Sequence, residues 1–206
     1  MSVGPLIKVC GLTRVEDAQA CVDLGVDALG LNFWPRSVRR CSDPVARQIV
    51  ERFVDRVRLV AVVVDAAPAE LRRIRHDLGV PWVQFHGDEP AEAVTAWLPD
   101  ALKAVRVGGP EDLPAARRMP GAELLVDARV PGMPGGTGAV CDWASAARLA
   151  RERVVWLAGG LGPDNVAEAV REVDPFGVDL ASGVESSPGV KDPARVAALV
   201  SAVRGQ

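Results

Sequence analysis

The feature that most constrains the fold of this chain is an alternation, repeated eight times, of a short apolar run with a segment of helical periodicity. Continuous apolar runs of this kind are typical of strands buried in a parallel sheet. Eight such units fit either a closed parallel barrel or a long open sheet. The predicted strands cover residues 6–10, 27–33, 58–64, 82–86, 101–106, 122–127, 154–158 and 177–181, and the predicted helices cover residues 14–25, 43–53, 68–78, 89–97, 111–118, 142–151, 163–172 and 193–204.

The residues at the carboxyl ends of the strands favour the barrel. In a (β/α)8 barrel all eight ends meet on one face, where the active site lies, whereas an open sheet needs functional residues only at its switch point. Here every strand ends at a polar, ionisable or glycine residue. We therefore predict an α/β fold consisting of a single (β/α)8 TIM barrel, with residues 1–206 as one domain. The strand ends are Cys10, Asn32, Asp65, His86, Arg106, Asp127, the pair Gly159–Gly160, and Asp179.

Composition excludes several classes of function. The chain has 206 residues, 49% of them apolar, which is enough for a sizeable core. Its net charge is −3 and its Lys and Arg are scattered, which argues against a nucleic-acid partner. Four cysteines without a CxxC pair, beside two histidines, predict neither a zinc site nor a disulfide framework. No apolar run approaches the roughly twenty residues that cross a membrane, and no signal peptide is evident, so we expect a cytoplasmic protein. The sequence leaves open whether it is a monomer or a homodimer, since apolar helix faces look alike in a barrel and in a dimer interface.

Local signals indicate where helices begin and where a lid could lie. Thr13 precedes Glu16 at capping-box spacing, Ser42 precedes a proline at the start of the second helix, and Asp192 does the same before the last helix. Two intervals between strand ends are longer than the others. The second, residues 128–141, is rich in glycine and proline and predicts a mobile lid.

Two glycine turns predict a phosphate site. The pair Gly159–Gly160 follows a buried strand, and Pro163 stands where the first turn of a helix is expected. Such a turn directs backbone N–H groups at one point, where the helix dipole favours an anion. A second turn of the same design, Ser182–Gly183, follows about twenty residues later. Either turn alone could simply be a tight connection, but the pair indicates the two halves of a phosphate cradle.

The first strand carries a candidate base. Alternation along the strand places Lys8 and Cys10 on one face, towards the barrel interior, and Ile7 and Val9 on the other. A buried lysine is costly unless it is paired or used. We expect its ammonium to lower the pKa of Cys10 from the usual value of about 8.5, which would make a thiolate base more available. The alternative is that Cys10 is a small packed apolar residue.

Two carboxyl groups at strand ends are candidate acids. Asp127 ends the sixth strand and Asp179 the eighth. A carboxyl at the mouth of an apolar strand is partly desolvated and is thus suited to donate a proton, although it could instead cap the following loop. Cys10 and Asp127 would face each other across the barrel mouth. An acid and a base on either side of a phosphate-anchored ligand indicate proton-transfer chemistry, with no metal and no redox cofactor.

The whole set of motifs resembles one family, phosphoribosylanthranilate isomerase, the (β/α)8 enzyme of tryptophan biosynthesis. Each motif alone has little specificity, but together they span the chain in the family's order. The matching pieces are Lys8-Val9-Cys10-Gly11-Leu12-Thr13, Phe33-Trp34-Pro35-Arg36-Ser37-Val38-Arg39, Val83-Gln84-Phe85-His86-Gly87, Leu125-Val126-Asp127, Gly135-Gly136-Thr137-Gly138 with Asp142-Trp143, Gly159-Gly160-Leu161 with Asn165-Val166, and Asp179 to Glu185 with Pro188-Gly189.

The resemblance implies an Amadori rearrangement of N-(5′-phosphoribosyl)anthranilate. Asp127 matches the family's general acid, which protonates the furanose ring oxygen and opens the ring to a Schiff base. Cys10 matches the general base, which removes the C2′ proton to give an enolamine. Arg39 matches the arginine that contacts the anthranilate end. The implied substrate-binding residues are Arg39, Gly159, Gly160, Asp179, Ser182 and Gly183.

The chain also departs from the family's pattern. Ala158 and Ala181 stand where many members carry serine, so fewer hydroxyl groups line the expected cradle, while its backbone N–H groups are unaffected. Ala139-Val140-Cys141 replaces a more polar and aromatic run after the glycine-rich loop.

Two other functions compete with this interpretation. One is a related barrel isomerase that acts on a phosphoribosyl aminoimidazole ligand. Those enzymes resemble two repeated half-barrels and usually carry a catalytic aspartate on strand 1, where this chain has Cys10. The other is a catalytically silent barrel that binds a phosphorylated metabolite or serves as an assembly partner. Such a protein needs neither Cys10 nor Asp127, and both are present.

Overall fold

A computed structural model of the chain describes residues 4–128 and 142–205. Eight parallel strands form a closed barrel in the order β1 to β8, and β8 pairs with β1 to complete it. This confirms the predicted (β/α)8 architecture. The barrel strands are β1 (Leu6–Cys10), β2 (Ala28–Asn32), β3 (Arg58–Val63), β4 (Trp82–Phe85), β5 (Ala101–Val107), β6 (Glu123–Ala128), β7 (Val154–Leu157) and β8 (Gly177–Leu180).

Helices follow the strands and cover the outside of the barrel. A π-helical turn, Arg73–Asp77, extends the third helix, and a 3-10 turn, Pro110–Asp112, precedes the fifth. The helices are α1 (Val15–Asp23), α2 (Asp43–Phe53), α3 (Pro68–Arg72), α4 (Ala91–Thr95), α5 (Leu113–Arg118), α6 (Trp143–Ala150), α7 (Val166–Val173) and α8 (Pro193–Arg204). No helix in the described part of the chain is long and apolar enough to cross a membrane.

The core has two layers because successive side chains of a strand point to opposite faces. One cluster combines strand and helix residues and therefore lies between the barrel and its helices. The second cluster contains strand-borne residues such as Leu102, Leu125 and Trp156 and fills the barrel interior. Ile7 and Val9 belong to the outer cluster, so Lys8 and Cys10 point inwards, as the alternation along β1 predicts.

One predicted helix cap and one predicted helix start are wrong. The hydroxyl of Thr13 does not cap α1; it donates to the carbonyl of Gly189 at 2.5 Å. Helix α7 begins at Val166 rather than near Pro163. The intervening residues form a turn that Asn165 closes, since its Oδ1 accepts from the N–H of Gly162 and its Nδ2 donates to the carbonyl of Gly160.

The other predicted helix starts agree better with the structure. Ser42 stands at the N-cap of α2, although its side chain makes no capping bond there. Asp192 caps α8, accepting from the backbone N–H groups of Ala194 and Arg195. The predicted lid, residues 128–141, falls outside the described residues except for Ala128 at the end of β6.

One element is absent from the sequence-based prediction. After β8 the chain forms a 3-10 turn, Ser182–Val184, and then a short antiparallel hairpin of β9 (Glu185–Ser187) and β10 (Val190–Lys191). We refer to residues 185–191 as the β9–β10 hairpin. It lies between the barrel mouth and α8.

Candidate active site

A cavity of about 260 Å³ opens at the carboxyl ends of the barrel strands. This is the face on which (β/α)8 enzymes place their chemistry. Seven of the eight predicted site residues line it. The eighth, Gly183, is the next residue in the chain after the lining residue Ser182. The seven are Cys10, Arg39, Asp127, Gly159, Gly160, Asp179 and Ser182.

Cys10 lies at the end of β1, where its side chain packs closely over Gly30. A Cβ atom on Gly30 would come within 2.7 Å of the Cys10 sulfur, so only glycine leaves room for this position. Next to it, Lys8 is 1% exposed, and its Nζ donates to Asp179 Oδ1 at 2.9 Å. The buried charge of Lys8 is therefore paired across the β1–β8 junction.

Burial of Cys10 reverses the predicted net shift of its pKa. Burial raises the pKa of the Cys10 thiol, and the Lys8 ammonium, which acts in the opposite direction, does not compensate. The Asp179 carboxylate adds to the upward shift of the Cys10 pKa. The expectation of a lowered pKa was wrong because it left out the burial of Cys10 and, to a smaller extent, the Asp179 carboxylate; the effect of Lys8 itself has the predicted direction. Lys8 itself keeps a raised pKa: burial lowers it, but Asp179 and Cys10 outweigh burial.

Asp127 lies across the cavity on β6 and is 5% exposed. Its Oδ1 accepts from the N–H of Ala128 at 2.8 Å, and its Oδ2 is 3.1 Å from Nε2 of His86. The other ring nitrogen of His86 is 2.8 Å from the amide nitrogen of the buried Gln84. When that amide donates to Nδ1, the proton of His86 is on Nε2 and is donated to Asp127.

Sequence reasoning recognised His86 as a strand end but assigned it no role. The signal that could have found it is the spacing of Gln84, in β4, and His86, directly after β4, which directs both side chains to the same side. What the sequence could not supply is the 3.1 Å contact between His86 and Asp127, which are 41 residues apart.

The two glycine turns lie next to each other at the rim of the cavity. Gly159 and Gly160 have φ values of +87° and +63°, in the left-handed region that favours glycine. A Cβ on Gly159 would come within 3.0 Å of Asp127 Oδ1, and one on Gly183 within 2.0 Å of the Leu161 carbonyl oxygen. The first turn is thus packed against the candidate acid, and the second is packed against the first.

Arg39 reaches the cavity from the loop after β2. Its side chain crosses Gly11, where a Cβ would come within 2.8 Å of the Arg39 Cδ. Its Nε and Nη2 donate to the two carboxylate oxygens of Glu185 at 2.9 Å each. This bidentate contact raises the pKa of Arg39, and hydrogen bonds from Arg39 and Lys191 lower the pKa of Glu185 despite its burial.

Comparison with known proteins decides the family. The family model described as N-(5′-phosphoribosyl)anthranilate (PRA) isomerase matches residues 7–202. The chain belongs to the PRA isomerase family. It is similar to the N-(5′-phosphoribosyl)anthranilate isomerase of Myxococcus xanthus, with 47% identity over 203 residues that cover 96% of this chain and 95% of the relative.

Solved structures of PRA isomerases have the same fold. The phosphoribosyl anthranilate isomerase of Thermotoga maritima superposes with a TM-score of 0.88 at 33% identity, covering 98% of this chain and all of the other. A PRA isomerase crystallised with reduced 1-(o-carboxyphenylamino)-1-deoxyribulose 5-phosphate superposes with a TM-score of 0.86 at 32% identity, with the same coverage.

Two of the three departures of this chain from the PRA isomerase pattern lie on the cavity wall, and the third, residues 139–141, falls outside the described residues. Ala158 and Ala181 both line the cavity. A ligand at the glycine turns would therefore meet backbone N–H groups and the Ser182 hydroxyl there. Within residues 4–128 and 142–205, no group of three or more His, Cys, Asp or Glu side chains is placed to hold a metal ion.

Proposed function

We propose that the chain catalyses the Amadori rearrangement of N-(5′-phosphoribosyl)anthranilate to 1-(2-carboxyphenylamino)-1-deoxyribulose 5-phosphate, a step of tryptophan biosynthesis. The observation that carries the proposal is the placement of Cys10 and Asp127 on opposite walls of one cavity, with the two glycine turns at its rim. Membership of the PRA isomerase family supports the substrate.

Asp127 is the general acid of the first step. Protonation of the furanose ring oxygen breaks its bond to C1′, and the electron pair of the anthranilate nitrogen forms the Schiff base. Asp127 is left as a carboxylate that accepts from Ala128 N–H and faces His86 Nε2. A carboxylate with both oxygens in hydrogen bonds is a stabilised product of proton transfer.

Cys10 is the general base of the second step. Its thiolate removes the C2′ proton, giving an enolamine that tautomerises to the ketose. Because burial raises the pKa of Cys10, the thiolate needs a nearby positive charge. The ammonium of Lys8 supplies it, since it lowers the Cys10 pKa and is itself held by Asp179.

The remaining residues hold the substrate. Gly159, Gly160, Ser182 and Gly183 form the phosphate cradle, and Arg39 faces the anthranilate carboxylate. An arginine and a cradle at two sides of the cavity fix both ends of the substrate, so the reacting sugar lies between acid and base. Within the sugar C1′ is reduced and C2′ is oxidised, so the rearrangement balances internally and calls for no redox cofactor. We further infer one domain over residues 1–206, in a cytoplasmic monomer or homodimer.

A fluorescence assay tests the proposed function. Purified protein is mixed with N-(5′-phosphoribosyl)anthranilate, and the loss of substrate fluorescence is followed at several protein concentrations. We expect a first-order loss whose rate is proportional to protein concentration. A phosphoribosyl aminoimidazole substrate, run in parallel, should be left unchanged. No turnover of the anthranilate substrate contradicts the proposal and favours the silent barrel.

A further inference from the structure

The β9–β10 hairpin carries two buried charges that the proposed chemistry does not use. The side chain of Glu185 is 5% exposed and that of Lys191 is 2% exposed. They face each other across the hairpin, since Lys191 pairs with Glu185 in the register, and Lys191 Nζ lies 2.7 Å from Glu185 Oε1. Two charges buried in a two-stranded hairpin are costly unless they serve a partner outside it.

That partner is Arg39. The Nε and Nη2 of its guanidinium group are bound by both oxygens of Glu185, so the plane of the group is fixed relative to the hairpin. Among the described residues, Nη1 has no hydrogen-bond acceptor, and Arg39 lines the cavity. Arg39, Glu185 and Lys191 together carry a net charge of +1, which suits an anionic ligand group.

The hairpin is itself anchored on three sides. The carbonyl of Gly189 accepts from Thr13, and the backbone N–H of Lys191 donates to Asp17 at 3.0 Å, which ties the hairpin to α1. The Nζ of Lys191 also lies 3.2 Å from the Ala181 carbonyl, next to Ser182 in the second glycine turn. Lys191 therefore links Glu185, which binds Arg39, to the second glycine turn at Ser182–Gly183.

We propose that Glu185 is a positioning residue that, through Arg39, sets the preference for a substrate carrying a carboxylate on its aromatic ring. A free arginine side chain would lose conformational freedom when it binds a carboxylate, whereas Arg39 is already held. This inference deepens the proposed function and rests on it, because it assumes that Arg39 faces the anthranilate carboxylate.

The test measures the effect of Glu185→Gln on two substrates, and in proteins with either arginine or alanine at position 39. KM and kcat are measured for N-(5′-phosphoribosyl)anthranilate and for N-(5′-phosphoribosyl)aniline, which lacks the carboxylate. For Glu185→Gln we expect KM for the anthranilate substrate to rise about tenfold and kcat to change less than about threefold, as for a weakened hydrogen bond to a charged group. For the aniline substrate, kcat/KM should change less than about threefold. In an Arg39→Ala background, Glu185→Gln should add less than about twofold, since both act through one group.

The matched control is Glu152→Gln. Glu152 makes the same bidentate contact with an arginine, Arg117, but on the exposed surface outside the cavity. We expect this variant to leave both substrates unaffected. Should Glu185→Gln fold poorly, Arg39→Lys removes the bidentate contact while keeping the charge, and it should show the same rise in KM for the anthranilate substrate alone.

Equal losses on both substrates would show that Glu185 merely maintains the fold and would overturn the inference. Wild-type kinetics in Glu185→Gln, or a full additional loss in the Arg39→Ala background, would overturn it as well. Calorimetric binding of reduced 1-(o-carboxyphenylamino)-1-deoxyribulose 5-phosphate separates this inference from the proposed function. If wild type binds this compound about tenfold more tightly than Glu185→Gln but turns over neither substrate, only the proposed function fails. If wild type does not bind it, both fail.

Discussion

At the scale of single residues, the proposed chemistry depends on the ionisation of Cys10. Burial raises its pKa above the ordinary value of a cysteine thiol, while Lys8 lowers it and Asp179 raises it. Burial therefore favours the thiol form, and the charges of Lys8 and Asp179 act in opposite directions on how readily a thiolate forms. Because Lys8 lies on β1 and pairs with Asp179 on β8, a change at Asp179 alters the pKa of Cys10.

Alkylation by iodoacetamide should report this balance, since only the thiolate reacts. Because burial raises the Cys10 pKa, we expect its rate to keep rising with pH from pH 7 to pH 9 without a plateau. Asp179→Asn removes the carboxylate that raises this pKa, so the rate at pH 8 should increase. Mass spectrometry of the labelled peptides identifies the site.

Two other cysteines provide the internal control. Cys21 and Cys41 are fully buried, and burial raises the pKa of each to about 12. Neither should react over this pH range in the folded protein. A plateau for Cys10 below pH 8, or slower alkylation in Asp179→Asn, contradicts the account of the base.

The positions of the chemical groups could be predicted from the sequence, but their interactions could not. Alternation along β1 placed Lys8 and Cys10 in the interior, and strand ends placed Asp127 and Asp179 at the mouth. The sign of the Cys10 pKa shift was wrong because burial, its largest cause, and the Asp179 carboxylate both come from parts of the chain that are distant in sequence; Asp179 is 171 positions from Lys8. The support of Arg39 by Glu185, 146 positions away, was missed for the same reason.

At the scale of elements, the two glycine turns act as one unit. Gly183 lies against the Leu161 carbonyl, where a Cβ would be 2.0 Å from the oxygen, so the second turn can approach the first only without a side chain. The turns are contributed by different strands, β7 and β8, and this contact fixes their relative position.

Gly183→Ala should therefore separate the turns and weaken phosphate binding. We expect affinity for reduced 1-(o-carboxyphenylamino)-1-deoxyribulose 5-phosphate to fall about tenfold or more, corresponding to at least about 1.4 kcal/mol. Isothermal titration calorimetry measures it. Gly4→Ala is the control, because its new Cβ would lie 3.5 Å from the Val203 carbonyl, an ordinary contact. Unchanged affinity in Gly183→Ala would show that the turns do not cooperate.

Regular elements were more predictable than the connections between them. All eight strand–helix units follow from apolar runs and helical spacing, since these patterns are local. Asp192 caps α8 as predicted, because its partners are the next two residues along the helix. Thr13 has an equally good local motif but bonds to Gly189, since the β9–β10 hairpin brings a carbonyl within 2.5 Å. That hairpin carries no strong apolar alternation and was not predicted.

At the scale of the whole molecule, stability and function are placed at opposite ends of the barrel. At the amino-terminal ends of the strands, Glu123 accepts from Arg58 and from the indole nitrogen of Trp156, both at 2.7 Å. The guanidinium of Arg58 lies over the Trp82 ring at 4.2 Å. This cluster closes the barrel on the face away from the cavity.

Glu123→Ala should destabilise the protein without affecting catalysis. It leaves the buried indole N–H without its acceptor and Arg58 without its ion pair, for a cost of about 2–3 kcal/mol. Urea unfolding measures the loss, and kcat/KM should remain within about twofold of wild type. Glu152→Ala, which breaks the exposed pair with Arg117, should leave the urea midpoint unchanged. A stable Glu123→Ala variant with impaired turnover contradicts this division of the barrel.

The central claim is that Cys10 and Asp127 transfer protons on one phosphoribosylanthranilate. It is tested most directly by kcat/KM for Cys10→Ser and Asp127→Asn in the fluorescence assay, with Glu152→Gln as the control for folding and handling. Each substitution removes one proton-transfer group and keeps its shape, so we predict a loss of at least about 10²-fold for each and none for the control. Activity within about threefold of wild type in either variant would contradict the account.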